Sequence, residues 1–333
     1  MLAVLPLPAD TRAGSPVPQL GEIPDPRPGR GEVLVRIRAT AMNRADLLQI
    51  RGLYPSPPGE SEVPGLECAG EIEELGEEVN GWQPGDRVMA LLGGGGHAEK
   101  AVAPVGQLMR IPAGLSFEEA AALPEVAITS WTNLAYEGRL REGQSVLITA
   151  AASGVGIFAV QLARELGAAQ VLVAGRSLDR LEKLRELGAD TCLELDGWFP
   201  KAVRDATAGN GVDLIVDLAG GSEVGTHLKA LKVGGRLVLV GILAGARAEI
   251  DLADLLRRRL QIVGSVLRAR TRAEKARLVA DFLAFASPRL EDGRLRPIVH
   301  KIYPLREIAE AYAQMEEGGV FGKLVLSVGG STA

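Results

Sequence analysis

Between residues 145 and 267 the chain alternates short apolar runs with segments of helical period. Runs of strand character fall at 145–150, 170–174, 212–217 and 236–241, and Ile262-Val-Gly-Ser-Val-Leu267 reads as one more. Amphipathic stretches such as Ile157–Leu166 and Leu178–Leu187 join them. Apolar strands separated by helices predict a parallel sheet covered on both faces, an α/β architecture. The N-terminal part is patterned differently. Val33, Val35, Ile37 and Ala39 alternate with Leu34, Arg36 and Arg38, as in a half-buried strand. Proline and glycine punctuate its surroundings, for example in Tyr54-Pro-Ser-Pro-Pro-Gly59, so this region reads as an irregular domain of short strands. The texture changes near residue 117, where Ser116 has the character of an N-cap. Residues 272–287 read as a helix and Lys323–Val328 as a last strand. The pattern places one domain at 123–266 and a second at 1–122 together with 267–333.

One βαβ unit carries the chemistry. The strand at 145–150 is followed by Ala151-Ala-Ser153-Gly-Val-Gly156, then a helix, then Val171-Leu-Val-Ala-Gly-Arg-Ser177. A small-residue turn into a helix N-terminus suits a pyrophosphate, because free N–H groups and the helix dipole both favour negative charge. Only the last glycine of the usual G-x-G-x-x-G survives, but alanine and serine also allow close backbone approach. Ser153, Gly154, Val155 and Gly156 are therefore the expected phosphate cradle. An NAD site usually ends its second strand in Asp or Glu, which bonds the ribose. Here Gly175, Arg176 and Ser177 stand instead, with Arg180 one helical turn on. That set suits a 2′-phosphate, so the expected cofactor is NADPH.

Composition narrows the function further. Net charge is −5 over 333 residues, with 47% hydrophobic and 24% charged, and shows no basic footprint for nucleic acid or an anionic membrane. Two cysteines, Cys68 and Cys192, provide neither a disulfide framework nor a Cys-x-x-Cys metal knuckle. No signal-peptide pattern and no apolar run of membrane-spanning length is evident, so a cytoplasmic protein is expected. Cys68 reads as a small core residue and Asp217 as a loop cap. His97 follows Gly93–Gly96 and is expected in an exposed turn rather than in catalysis.

Four segments carry a family likeness: Asn43-Arg-Ala-Asp-Leu-Leu-Gln49, Arg51-Gly-Leu-Tyr54-Pro, Pro64-Gly-Leu-Glu-Cys-Ala-Gly70 and the Ala151–Gly156 turn. Through them the chain resembles the medium-chain dehydrogenase/reductase superfamily, and within it the zinc-free, zeta-crystallin-like quinone oxidoreductases. Gly264-Ser-Val-Leu-Arg-Ala-Arg270 is similar to the branch of the tumour-suppressor-inducible quinone reductase. The resemblance implies a GroES-like domain (1–122 with 267–333) and a Rossmann domain (123–266), with the cofactor in the cleft between them. Zinc-bearing members carry Cys where this chain has Asn43 and His where it has Leu66. Glu125 lies near their third ligand, and the four-cysteine structural lobe is absent. No metal is therefore expected.

The same resemblance implies the remaining roles. Asn43 and Tyr54 line the catalytic site, bonding the quinone oxygen and the cofactor or substrate. Thr129 lies near the nicotinamide. Gly241, Ile242 and Leu243 run along the cofactor, Ser265, Val266 and Leu267 meet its carboxamide, and Lys323 is a weaker cofactor contact. The tyrosine that relatives often place over the adenine has no counterpart after Leu187-Gly-Ala189. The expected reaction is metal-free transfer of reducing equivalents from NADPH to a quinone. Reduction of an enal or enoyl-thioester on the same fold is the alternative, and a non-catalytic crystallin-like or RNA-binding role is the second. A homodimer or homotetramer is expected, built by extending the Rossmann sheet across an edge strand.

Overall fold

The computed structural model describes residues 1–5, 17–195 and 199–329. The chain divides into two compact units, Met1–Glu125 with Arg268–Ala333, and Val126–Leu267. The α/β class expected from the alternation holds.

The first unit is built on a sheet ordered Val299–Pro304, Lys323–Ser327, Glu32–Ala41, Glu67–Leu75, Arg87–Leu91 and Leu108–Arg110, with Lys100–Pro104 also paired to Glu32–Ala41. All pairs are antiparallel except Val299–Pro304 with Lys323–Ser327. Register irregularities at Leu34/Val35 and Ile37/Ala39 bend the central strand, as bulges do. The alternation read from the sequence delivers Val33, Val35 and Ile37 to a core shared with Ile72, Val88, Leu324 and Tyr312. Two registers matter for the site. Val325 lies opposite Ala41, and Cys68 lies opposite Thr40. Continuing each ladder brings Lys323 and Glu67 to the end of the central strand, where Asn43 follows.

The second unit is a six-stranded sheet ordered Thr191–Glu194, Gln170–Gly175, Ser145–Thr149, Val212–Asp217, Leu231–Leu239 and Gln261–Gly264. Every pair is parallel. Counted along the chain the order is 3-2-1-4-5-6, the doubly wound arrangement whose switch point lies between the first and fourth strands. Helix Gly154–Glu165 crosses from the first strand to the second and buries Ile157, Phe158, Val160 and Leu162.

Several elements depart from the sequence reading, among them the edge strand Thr191–Glu194, which the apolar pattern does not predict. The fifth strand begins at Leu231, five residues before the expected 236, because Gly234 (φ +78°) and Gly235 are absorbed into it rather than ending a turn. The Leu178–Leu187 segment is an α-helix to Glu182 and a 3₁₀ turn from Lys183, closed by Gly188 in the left-handed region. The helix expected over 272–287 runs to Glu291 through Pro288. Among the described residues no helix is long and apolar enough to cross a membrane.

Candidate functional site

In the parallel unit the nucleotide candidates gather at the carboxyl ends of neighbouring strands, where ligands of open α/β sheets bind. After Thr149 the chain turns through Ala150, a non-glycine residue at φ +46°, and enters the helix at Ser153. Ser153 is the N-cap, its Oγ accepting the Gly156 N–H at 3.2 Å. A Cβ on Gly156 would lie 2.6 Å from the Ala151 backbone, so glycine alone lets helix and turn approach this closely. Gly175 ends the second strand and is buried. Arg176 is exposed beyond it, Ser177 is the N-cap of Leu178–Glu182, and Arg180 lies on that helix. Gly241, Ile242 and Leu243 follow the fifth strand, with Ile242 56% and Leu243 55% exposed. Ser265 follows the sixth, and its N–H donates to Leu239 O at 2.9 Å. Val266 is exposed and Leu267 buried. Thr129 is buried on helix Pro124–Trp131, and its carbonyl accepts from Asn133. This set fits a dinucleotide: a capped helix N-terminus for anionic oxygens, a glycine cradle, and a cation at the end of the second strand.

Behind this rim lies a buried network where the sequence suggests only a loop cap. Asp217, fully buried at the end of the fourth strand, accepts from Thr149 Oγ1 (2.9 Å) and from the N–H groups of Ala219 and Gly220 (3.0 Å each). Its other oxygen meets His227 Nδ1 at 2.9 Å. Burial alone would raise this carboxyl, but His227 and the two backbone donors together hold it below the ordinary value. The turn so held is packed tightly, for a Cβ on Gly220 (φ +66°) would meet Gly241 O at 2.6 Å.

The first unit carries the other candidates. Asn43 is the N-cap of helix Arg44–Ile50 and donates its backbone N–H to Asp46 Oδ2 at 2.6 Å. Its side chain is held by two charges: Nδ2 donates to Glu67 Oε1 (2.8 Å), and Oδ1 accepts from Lys323 Nζ (2.6 Å). Lys323 also donates to Glu67 Oε1 (2.7 Å) and Met42 O (2.8 Å), so its ammonium makes three bonds within this unit. Tyr54 is half-buried. Its phenol is raised by burial and by Glu125, with Arg268 opposing, so the hydroxyl stays protonated at neutral pH. Arg268, 5% exposed, lies over the Tyr54 ring at 5.1 Å and donates to Tyr54 O. Among the described residues, no group of three or more His, Cys, Asp or Glu is placed to hold a metal ion. A zinc ion does not fit the ligand positions of the zinc-bearing members, Asn43, Leu66 and Glu125: Leu66 offers no ligand atom, and the Lys323 ammonium already lies on Asn43 Oδ1.

His97 corrects the expectation of an exposed turn. It is completely buried, with Nδ1 3.2 Å from the Tyr312 hydroxyl and the two rings edge to face. Burial lowers its pKa, against the pull of Asp46. The glycines before it carry the chain inward: His97 N donates to Pro64 O, and Val4 N donates to His97 O. Cys68 is a core residue as expected, its thiol pushed up to about 12 by burial. Sequence reasoning misses Glu67 and Arg268. The available signal is one charge inside an otherwise uncharged stretch, Glu67 between Leu66 and Cys68.

Comparison with known proteins agrees with this architecture. Residues 29–113 match the family described as alcohol dehydrogenase GroES-like domain, and residues 154–284 the one described as zinc-binding dehydrogenase. A quinone oxidoreductase-like protein 2 homolog of Nematostella vectensis is 31% identical over 90% of this chain and 82% of its own length. The solved quinone oxidoreductase of Thermus thermophilus, described also in complex with NADPH, is 34% identical with a TM-score of 0.81, covering 98% of this chain and 100% of that one. A solved NAD-dependent alcohol dehydrogenase is 32% identical with a TM-score of 0.84, covering 99% and 100%. The chain belongs to the medium-chain dehydrogenase/reductase superfamily: it is an oxidoreductase with a GroES-like domain and a Rossmann domain that binds a nicotinamide cofactor.

Proposed function

We propose that the chain is an NADPH-dependent quinone oxidoreductase that works without a metal. The observation that carries the cofactor is the end of the second parallel strand, where exposed Arg176 follows Gly175 and no carboxylate takes the ribose position. The similarity to a quinone oxidoreductase described with NADPH supports the same reading. In it, Ser153–Gly156 hold the pyrophosphate, and Arg176, Ser177 and Arg180 hold the 2′-phosphate. Thr129, Gly241–Leu243 and Ser265–Leu267 line the rest of the dinucleotide. When bound, the cofactor supplies the hydride. Asn43 offers an N–H to the quinone oxygen, and the protonated Tyr54 phenol is a proton donor. A quinone asks little of such a site, because aromatisation to the hydroquinone drives the reaction and the protein has mainly to position the ring. Lys323 enters through Asn43, which it holds.

The test is oxidation of NADPH and NADH with a panel of quinones, repeated on Arg176→Ala. NADPH is expected to be preferred. Loss of a charge-assisted phosphate contact should raise its KM about tenfold to a hundredfold and leave NADH nearly unchanged. Preference for NADH, or no turnover with any quinone, overturns the proposal. Turnover of 2-alkenals or crotonyl thioesters alone would move it to activated alkenes.

We also assign the protein to the cytoplasm, in keeping with its two free thiols, and to a homo-oligomer. Strand Gln261–Gly264 is a sheet edge with Ile262 39% exposed, and edges of this kind pair with a second copy. Sedimentation should give a dimer or tetramer that Ile262→Glu dissociates. A monomeric wild-type protein would remove this assignment.

A further inference from the structure

Asn43 is partly exposed, whereas Glu67 is fully buried and Lys323 is 5% exposed. A buried ion pair is a poor device for stability, because desolvation of both charges consumes most of their attraction. Its geometry here has another consequence. We propose that the Glu67–Lys323 pair is a positioning device that fixes the Asn43 amide in one orientation, so that the site recognises a substrate through an acceptor oxygen of the carbonyl or quinone class. The inference rests on Asn43 touching the substrate, as proposed above.

The orientation follows from counting donors and acceptors. Lys323 has three N–H groups and three acceptors: Met42 O, Asn43 Oδ1 and Glu67 Oε1. Glu67 Oε1 accepts from Lys323 and from Asn43 Nδ2, and Oε2 accepts the Glu125 N–H at 2.8 Å. Turning the amide over would set its NH₂ against the ammonium and its carbonyl against the carboxylate, two repulsions in place of two charge-assisted bonds. Asn43 Oδ1 is thereby committed to the ammonium. Of the two Nδ2 hydrogens, one goes to Glu67, and the other has only Ala41 O at 3.5 Å, the outer limit of a hydrogen bond. What the side chain has left to give is a donor. An oxygen gaining negative charge during reduction is the group such a donor stabilises. The strand registers that hold Lys323 and Glu67 keep this donor in place before the substrate arrives.

The experiment is a double-mutant cycle on the intact protein with NADPH and 1,2-naphthoquinone, using Asn43→Ala, Glu67→Gln and both together. Glu67→Gln should lower kcat about tenfold or more by freeing the amide, with the KM for NADPH within about twofold of wild type. In the Asn43→Ala background the same change should cost almost nothing further, since Glu67 acts through Asn43. Asn43→Asp, which has no N–H to offer, should be at least as impaired as Asn43→Ala. Should Glu67→Gln fold poorly, Lys323→Arg keeps the charge but not the three convergent donors, and the same loss of kcat is expected. Multiplicative losses in the double variant overturn the positioning role and leave Asn43 as a substrate contact. An unimpaired Asn43→Ala overturns that contact and the inference with it.

Discussion

Replacement of Asp217 by Ala is expected to destabilise the parallel-sheet unit by about 3–5 kcal/mol, the usual cost of removing one side of a buried, hydrogen-bonded charge network. Four donors converge on this carboxylate: Thr149 Oγ1, His227 Nδ1 and the N–H groups of Ala219 and Gly220. None of the four residues is exposed, and alanine leaves all the donors without their acceptor. The effect carries a pH signature. The folded-state pKa of Asp217 is depressed, so its contribution is complete above the unfolded carboxyl value of about 3.9 and is lost as pH falls through the folded value. Urea denaturation should therefore show wild type and Asp217→Ala far apart at neutral pH and converging below about pH 4. His227→Gln keeps a donor in place and should cost less. Because Gly220 packs on the Gly241 carbonyl, the same variants should also raise the KM for NADPH. Equal denaturation midpoints for Asp217→Ala and wild type at pH 7 would show that the network contributes no stability.

That network also shows where sequence reading runs out. Most of the parallel sheet was legible because runs such as Val146–Ile148 and Val171–Ala174 can only be buried on both faces, whereas the edge strand Thr191–Glu194, with no fully buried residue, carries no such pattern. The end of the fifth strand was legible and its beginning was not, because Gly234 and Gly235 look like a turn and are a local irregularity in a strand. Side-chain partnerships at long range left little trace. Glu67 and Lys323 are separated by 256 positions, and they meet because two ladders share the strand Glu32–Ala41. His97 misled for a related reason. Glycine runs usually mark exposed turns, but the turn at Gly96 lies against Gly65, where a Cβ on either residue would strike the other's backbone. Asp217 was recognised as a loop cap, and the structure gives it the N–H groups of Ala219 and Gly220 to cap. Thr149 and His227, which come from a neighbouring strand and a later helix, were not anticipated.

Arg268 is the second position where one substitution should have a large effect. Its guanidinium donates to Gly93 O (2.9 Å), Tyr54 O (3.2 Å), Gln49 Oε1 (2.8 Å) and Ser56 Oγ (3.0 Å). It thereby ties the end of helix Arg44–Ile50, the Tyr54–Ser56 segment and the glycine turn at Gly93, three parts of the chain that the sheet does not join directly. Burial lowers its pKa, with Asp46 opposing, yet an arginine remains charged at any working pH. Arg268→Met fills much of the volume and removes the donor to Gly93 O, Tyr54 O and Gln49 Oε1, while Ser56 Oγ keeps its bond from Gln49 Nε2, an expected cost of about 3 kcal/mol or more. Arg268→Lys should recover little, because a compact ammonium cannot span the positions reached by a planar fork. The damage should be local. Cleavage by a protease within residues 51–62 should accelerate, and the KM for the quinone should rise more than the KM for NADPH, since Tyr54 is the substrate-facing candidate on this segment. A variant with wild-type denaturation, wild-type cleavage and an unchanged quinone KM would mean that Tyr54 is held by its own loop and prolines rather than by the arginine.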